Sequence, residues 1–239
     1  MAMHNSQLTD LSVMSTDELA NFYSSPRAWV RSNMAISLDG HFVDDEGSSR
    51  GLSSSLDVTI LLVLRALSDV VVVGGATARQ EGYAPKLPRS DIAHLSPTPP
   101  RLCVVSREMN FSVDDAMFQQ HVSMPLIVTS RSDDDEWNDR ADALSDVAEI
   151  VLLEEVTGSS LLAALRARGL QSIVSEGGPY LQNLLRACNV LDELAVTIAP
   201  VIIGTTAGMS AFGEVHDQLE LQSIARGGDH TYARFLVAR

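Results

Sequence analysis

The segment Ser175-Glu176-Gly177-Gly178-Pro179 sets a carboxylic acid, two glycines and a proline in immediate succession, an order of residue types that favours anion binding. Glycines adopt positive φ at little cost and let a ligand approach the backbone. Pro179 suits the first position of a helix, where its missing N–H is no loss. The other free N–H groups of that turn, together with the helix dipole, then face a phosphate beyond the end of the preceding strand. A second turn of this kind stands at Gly74-Gly75-Ala76-Thr77, and hydroxyl and guanidinium donors follow apolar runs at Ser106-Arg107 and Thr129-Ser130-Arg131. Such donors hold phosphate oxygens. Taken singly, each feature also reads as a tight structural connection or a solvated loop. Their recurrence at successive strand ends points to a site, because open α/β sheets bind ligands outside the carboxyl ends of their strands.

The elements that must position these residues are legible from periodicity. Residues 1–10 are polar and read as disordered. Ser15-Thr16-Asp17-Glu18 matches a capping box, so a short helix is expected over 16–23, ending before Pro26. A first strand follows over 29–36, then a turn at Ser37-Leu38-Asp39-Gly40 and a resumed extended run at 41–43. Residues 44–55 read as a mobile loop near the site. Ser55 or Asp57 caps a helix to about residue 67, apolar around most of its circumference. Val70-Val71-Val72-Val73 reads as a central parallel strand buried on both faces. The run 82–100 holds five of the nine prolines and is irregular. Further strands are expected at 102–105, 126–128, 150–153 and 172–175. Helices are expected around Trp137, from Ser159 or Ser160 to Arg168 before Gly169, and from Pro179 to about Ala187. Residues 192–204 read as an extended segment bent or edged by Pro200, and 219–225 with 232–238 as a terminal hairpin. The organisation is thus α/β: an N-terminal extension with a short helix at 1–26, then a single domain at 27–239 with a mixed, mostly parallel central sheet flanked by helices and a C-terminal antiparallel hairpin.

Composition excludes several functions. With 31 acidic against 17 basic residues the net charge is −14, which opposes a nucleic-acid partner or an anionic membrane surface. Any phosphate must be held by local groups. No apolar run reaches the roughly 20 residues needed to span a bilayer, and no signal peptide is evident, so a cytoplasmic location is expected. Cys103 and Cys188 are far apart in apolar surroundings and read as small core residues of a reducing compartment. The six histidines show no metal-ligand spacing, and no metal is expected. Neither G-x-G-x-x-G, G-x-x-x-x-G-K-[ST] nor G-x-S-x-G occurs.

Four blocks in order carry a resemblance: Ala35-Ile36-Ser37-Leu38-Asp39-Gly40; Leu64-Arg65-Ala66 through Asp69 to Gly74-Gly75-Ala76-Thr77; Ser175-Glu176-Gly177-Gly178-Pro179; and Asp192-Glu193-Leu194 through Pro200 to Gly204. Over residues 28–238 the chain resembles the C-terminal reductase domain family of the bifunctional riboflavin-biosynthesis deaminase–reductases. It is most similar to their stand-alone branch, since the deaminase motif is absent. The resemblance implies a dihydrofolate-reductase-like fold, a homodimer, and NADPH-dependent reduction of a sugar carbonyl carbon in a small-molecule phosphoribosylamino-pyrimidine. It assigns Ala35, Gly74, Gly75, Thr77, Gly177, Gly178 and Pro179 to the cofactor. Ser106, Arg107 and Thr129, with Ser130, are the strand-end candidates for the adenosine 2′-phosphate. Asn33 and Ser37 fall on the substrate side, and Asp39 and Glu176 orient the pyrimidine and assist proton delivery.

The chain departs from the fused enzymes at two places. Asn33 stands where they commonly carry lysine, and Glu81-Gly82-Tyr83-Ala84-Pro85 where they carry an Asp-Asn-Pro segment followed by arginine. Both lie on the family's substrate side. Two alternatives therefore stay open: an NADPH-dependent reductase of another pterin- or dihydrofolate-like ring, and a non-catalytic nucleotide-binding protein. A homodimer is further expected because the apolar run 194–203 needs cover.

Overall fold

Alternating and β-branched runs produce ten strands among the described residues: β1 (Thr9–Asp10), β2 (Val30–Ile36), β3 (Val70–Gly74), β4 (Arg101–Val105), β5 (Leu126–Ser130), β6 (Glu149–Leu153), β7 (Ile173–Ser175), β8 (Glu193–Ile198), β9 (Leu219–Gly227) and β10 (His230–Val237). The computed structural model describes residues 8–43, 49–83, 89–119, 122–204 and 216–238. Of the start expected to be disordered over 1–10, the loop expected over 44–55 and the proline-rich run 82–100, residues 1–7, 44–48 and 84–88 lie outside the described residues, while Arg50–Leu52 forms a turn of 3-10 helix leading into the cap of the next helix. The strands form one sheet in the order β1-β9-β10-β8-β2-β7-β3-β4-β5-β6. From β8 to β6 in that order all pairs are parallel, whereas β10 runs antiparallel to both β8 and β9. The parallel strands therefore present their C-terminal ends along one edge.

The four valines of β3 show how the sheet is buried. Val71 and Val73 enter one apolar cluster and Val70 and Val72 the other, the outcome of a two-residue period with both faces covered. Helices α1 (Thr16–Phe22), α2 (Ser55–Ala66), α4 (Ala116–Gln119) and α5 (Asp135–Leu144) cover the first face; α6 (Gly158–Arg166) and α7 (Pro179–Ala187) cover the second. The short α3 (Gly75–Gln80) follows β3 directly. Among the described residues no helix is long and apolar enough to cross a membrane.

The N-terminal segment is built into the core. Thr9–Asp10, expected as disordered, pairs with Ala225 and Arg226 of β9. Leu11, Leu19 and Tyr23 are buried in the first cluster, and the capping box of α1 forms between Ser15 and Glu18. A buried ion cluster fastens this segment to the sheet. Glu193 on β8 is fully buried and accepts from Arg31 on β2 at 2.9 Å and from Arg234 on β10 at 2.7 Å. The same guanidinium groups donate to the carbonyl oxygens of Tyr23 and Phe22 that α1 leaves open at its end. Burial alone pushes the Glu193 carboxyl up, but the Arg234 and Arg31 contacts outweigh it and hold it below the ordinary carboxylate value.

Several local expectations are corrected by tertiary contacts. Residues 41–43 do not resume a strand, because Ser37 N–H bonds His41 O at 2.8 Å and closes a tight turn. Helix α2 is capped by Ser54, whose hydroxyl accepts from Asp57 N–H, and α6 by Thr157 in a capping box with Ser160. Cys188 is half-buried at the end of α7, unlike the buried Cys103, whose thiol burial pushes up to about 12. Of the run 194–203 the strand part is covered, with Leu194, Ala195 and Val196 buried inside the sheet between β2 and β10, whereas Val201 and Ile202 beyond it are exposed.

Candidate active site

The two glycine turns meet although a hundred residues separate them, because β7 is inserted between β2 and β3. Glu176 N–H donates to Val72 O at 3.0 Å, and Gly74 N–H donates to Gly177 O at 3.2 Å. Gly177 and Gly178 have φ of 96° and 89°, a region that side chains rarely adopt. A Cβ on Gly178 would sit 2.8 Å from Thr77 Oγ1, and one on Gly75 would sit 2.7 Å from Ser106 Oγ. Helices α3 and α7 begin at Gly74 and Gly178 without a side-chain cap. Their leading N–H groups therefore lack side-chain acceptors at the edge where the parallel strands end.

Glu176 closes this junction on one side. Its carboxylate receives a two-point ion pair from Arg65 near the end of α2, Nε to Oε1 and Nη2 to Oε2, both at 2.5 Å. The Tyr83 hydroxyl also donates to Oε2, and the Arg65 guanidinium lies over the Tyr83 ring, 5.4 Å from its centre. Burial first, and then the facing Glu176 carboxylate, push the Tyr83 phenol well up.

These groups line a cleft of about 730 Å³. One wall is Asn33, Met34 and Ala35 of β2. Another is Glu176 to Pro179 with Thr77, and the far side is the start of α2 with Ser53, Ser54 and Asp57. Asp57 is buried, and its Oδ1 accepts from the Thr197 hydroxyl of β8 at 2.6 Å. Burial pushes the Asp57 carboxyl up, against the lowering effect of Thr197 and Ser53. Of the three carboxylates that line the cleft, Glu176 is committed to Arg65 and Glu81 faces Arg50, whereas Asp57 is largely desolvated with no arginine among its influences.

Asn33, Ala35, Thr77, Glu176, Gly177, Gly178 and Pro179 come together in the cleft, with Gly74 and Gly75 buried at the junction beside it. Five expected residues, Ser37, Asp39, Ser106, Arg107 and Thr129, do not line it. Ser37 is fully buried, donating to Asp39 at 2.6 Å and accepting from His41 N–H at 2.9 Å, so it has no surface for a substrate. Asp39 is absent from the cleft lining; its carboxylate accepts from Ile203 N–H at 3.1 Å and Gly204 N–H at 2.8 Å. The Ser37 hydroxyl and those N–H groups hold its carboxyl far below the ordinary range, which makes it a loop clasp and a poor proton donor. Thr129 is fully buried, with its hydroxyl on the carbonyl oxygens of Arg107 and Ser130 at 3.4 and 3.3 Å. Ser106 is also buried and bonds Met109 N–H at 3.1 Å, seating the start of α3. Arg107 is left as an exposed cation at the end of β4, 3.7 Å from Glu108. Sequence reasoning missed Arg65, Tyr83 and Asp57 as site residues. The available signal was a charged residue interrupting an otherwise apolar helix, at positions 57 and 65.

The family model for the RibD C-terminal domain matches residues 28–232. The chain is 28% identical over 187 residues to the 2,5-diamino-6-ribosylamino-4(3H)-pyrimidinone 5′-phosphate reductase of Archaeoglobus fulgidus, covering 74% of this chain and 83% of that protein. It is 24% identical over 190 residues to the riboflavin biosynthesis protein RibD of Synechocystis, 80% of this chain but only 50% of that one. Among solved structures, a pyrimidine reductase-like protein from Corynebacterium diphtheriae superposes with a TM-score of 0.82 at 24% identity, covering 95% of this chain and 100% of that chain. A deaminase/reductase from Thermotoga maritima gives 0.71 at 18% identity, with 89% and 57% covered. The last two are likenesses of fold.

Proposed function

The chain belongs to the RibD C-terminal domain family, and from that premise we propose that it is a riboflavin-pathway reductase that uses NADPH to reduce the ribose carbonyl carbon of a phosphoribosylamino-pyrimidine to the ribityl level. The observation that carries this reading is the bond from Gly74 N–H to Gly177 O, which joins two uncapped helix starts beside a cleft walled by Glu176. A Cβ at Gly177 would meet nothing within 4 Å among the described residues, and this open space beside backbone is fit for a dinucleotide phosphate, whereas Gly178 packs closely against Thr77. NADPH, when bound, supplies the hydride. Gly74, Gly75 and Thr77 with Gly177 to Pro179 would hold its phosphates, Ala35 in the cleft lining would belong to the same cofactor site, and Arg107 with Ser130 would serve the 2′-phosphate. Glu176 orients the substrate by accepting from it. Asp57, with Oδ1 taken by Thr197, is the carboxyl suited to hold a proton, since its pKa is raised.

A second reading keeps the cofactor and changes the acceptor to a pterin- or dihydrofolate-like ring. Asn33 and Glu81-Gly82-Tyr83, where the chain departs from the fused reductases, all line the cleft and favour it. Titrating NADPH fluorescence with the protein, then following nicotinamide oxidation with the aminouracil ribotide, the diaminopyrimidinone ribotide or dihydrofolate, separates the readings. Turnover of a ribotide supports the first and of dihydrofolate the second; NADPH binding without any turnover makes the chain a non-catalytic binder, and no NADPH binding overturns both enzyme readings. A cytoplasmic homodimer is part of the same proposal, resting on family likeness alone; light scattering on the purified chain tests its oligomeric part.

A further inference from the structure

Glu176 is the focus of three donors from two elements remote from it in sequence. A carboxylate offers about four acceptor sites. Arg65 fills one on each oxygen, and Tyr83 fills a second on Oε2; among the described residues a single site remains, on Oε1. Arg65 cannot surrender its proton. Tyr83 belongs to the segment after α3, where its own N–H bonds Ala78 O at 3.1 Å and its ring stacks under the guanidinium. We infer that Tyr83 is a positioning residue: with Arg65 it fixes Glu176 as an acceptor with one open site, which selects a substrate presenting a single N–H or O–H donor to that wall. The inference rests on the reductase reading for its substrate. Phenylalanine at this position would keep the stacking and lose the bond, leaving the carboxylate free to rotate about Arg65. The raised phenol supports this, since Tyr83 stays a donor at working pH.

Tyr83→Phe, Glu176→Gln and the double variant test it by three readouts. The Tyr83→Phe change is expected to leave NADPH affinity within about twofold of the wild type and to raise KM for the ribotide roughly tenfold with little change in kcat, the pattern of a contact made equally in ground and transition states. The double variant is expected to be no worse than Glu176→Gln alone, because both changes remove the same constraint. An unchanged KM, or additive losses, overturns the inference. Thermal unfolding of the same four proteins without ligand forms a cycle independent of the reaction. Coupling between the two positions is expected there, and its absence overturns the contact itself. If the wild type turns over no ribotide, the reductase reading fails and the substrate assignment falls with it, while the unfolding cycle still decides whether Tyr83 holds Glu176.

Discussion

At the residue scale the site is governed by which side chains are already committed. Glu176→Gln is expected to spare NADPH binding and lower kcat/KM by roughly tenfold to a hundredfold, since it removes the proposed substrate contact; equal loss of cofactor affinity would overturn that role. The same change leaves Arg65 without its anion, although that side chain is 20% exposed, so the destabilisation should fall below the ~3–5 kcal/mol typical of a fully buried broken pair. Gly178→Ala combines a forced φ of 89° with a Cβ 2.8 Å from Thr77. It should weaken NADPH by about tenfold or more and lower the melting temperature, in line with the ~1–3 kcal/mol of a strained backbone position. Asp57 titrates in the opposite sense to an ion-paired acid. Its folded pKa is raised, so burial costs nothing below the unfolded value, and the cost grows as pH climbs from there through the folded value. Asp57→Asn should therefore stabilise the fold at neutral pH, with the gain disappearing in acid, measured as melting temperature against pH; catalysis should fall in the same variant.

At the element scale the N-terminal segment depends on the Arg31–Glu193–Arg234 cluster. Glu193→Ala would strand two arginines whose side chains are 4% and 11% exposed, and a loss of about 3–5 kcal/mol is expected in denaturant unfolding. Much of this level was legible in the chain. Four valines in a row announced a strand buried on both faces, Ser15 and Glu18 announced a capped helix, and Gly-Gly-Pro announced an abrupt helix start, because each is a local steric or hydrogen-bonding rule. The failures share one cause. Asp39 looked free to act until Ile203 and Gly204, 164 and 165 residues away, claimed its carboxylate. In the sequence Tyr83 stands on the substrate side only as part of an irregular segment, with no partner in view; in the structure its hydroxyl donates to Glu176, 93 residues on. Thr129 lies at a strand end as expected, but its hydroxyl points back into the chain. Which face a strand-end residue presents, and which carboxylate a distant donor has already taken, are decided by topology that no local pattern encodes.

At the scale of the whole molecule the net charge of −14 would repel the anionic cofactor proposed for this site, which local N–H groups and Arg107 would attract. Added salt screens the long-range repulsion first, so the NADPH association rate is expected to rise with ionic strength, whereas a site governed by a positive field would slow; stopped-flow fluorescence measures this. The insertion of β7 between β2 and β3 has a further outcome during biosynthesis. Strand β2 pairs only with β7 and β8, and β3 faces β7 on its inner edge. On a ribosome delivering the chain from its N-terminus, β2 has no partner and the valines of β3 keep an open edge until residue 173 emerges. The nascent protein must carry that unpaired apolar edge through most of its translation, a burden set by the same strand order that later brings the two glycine turns together.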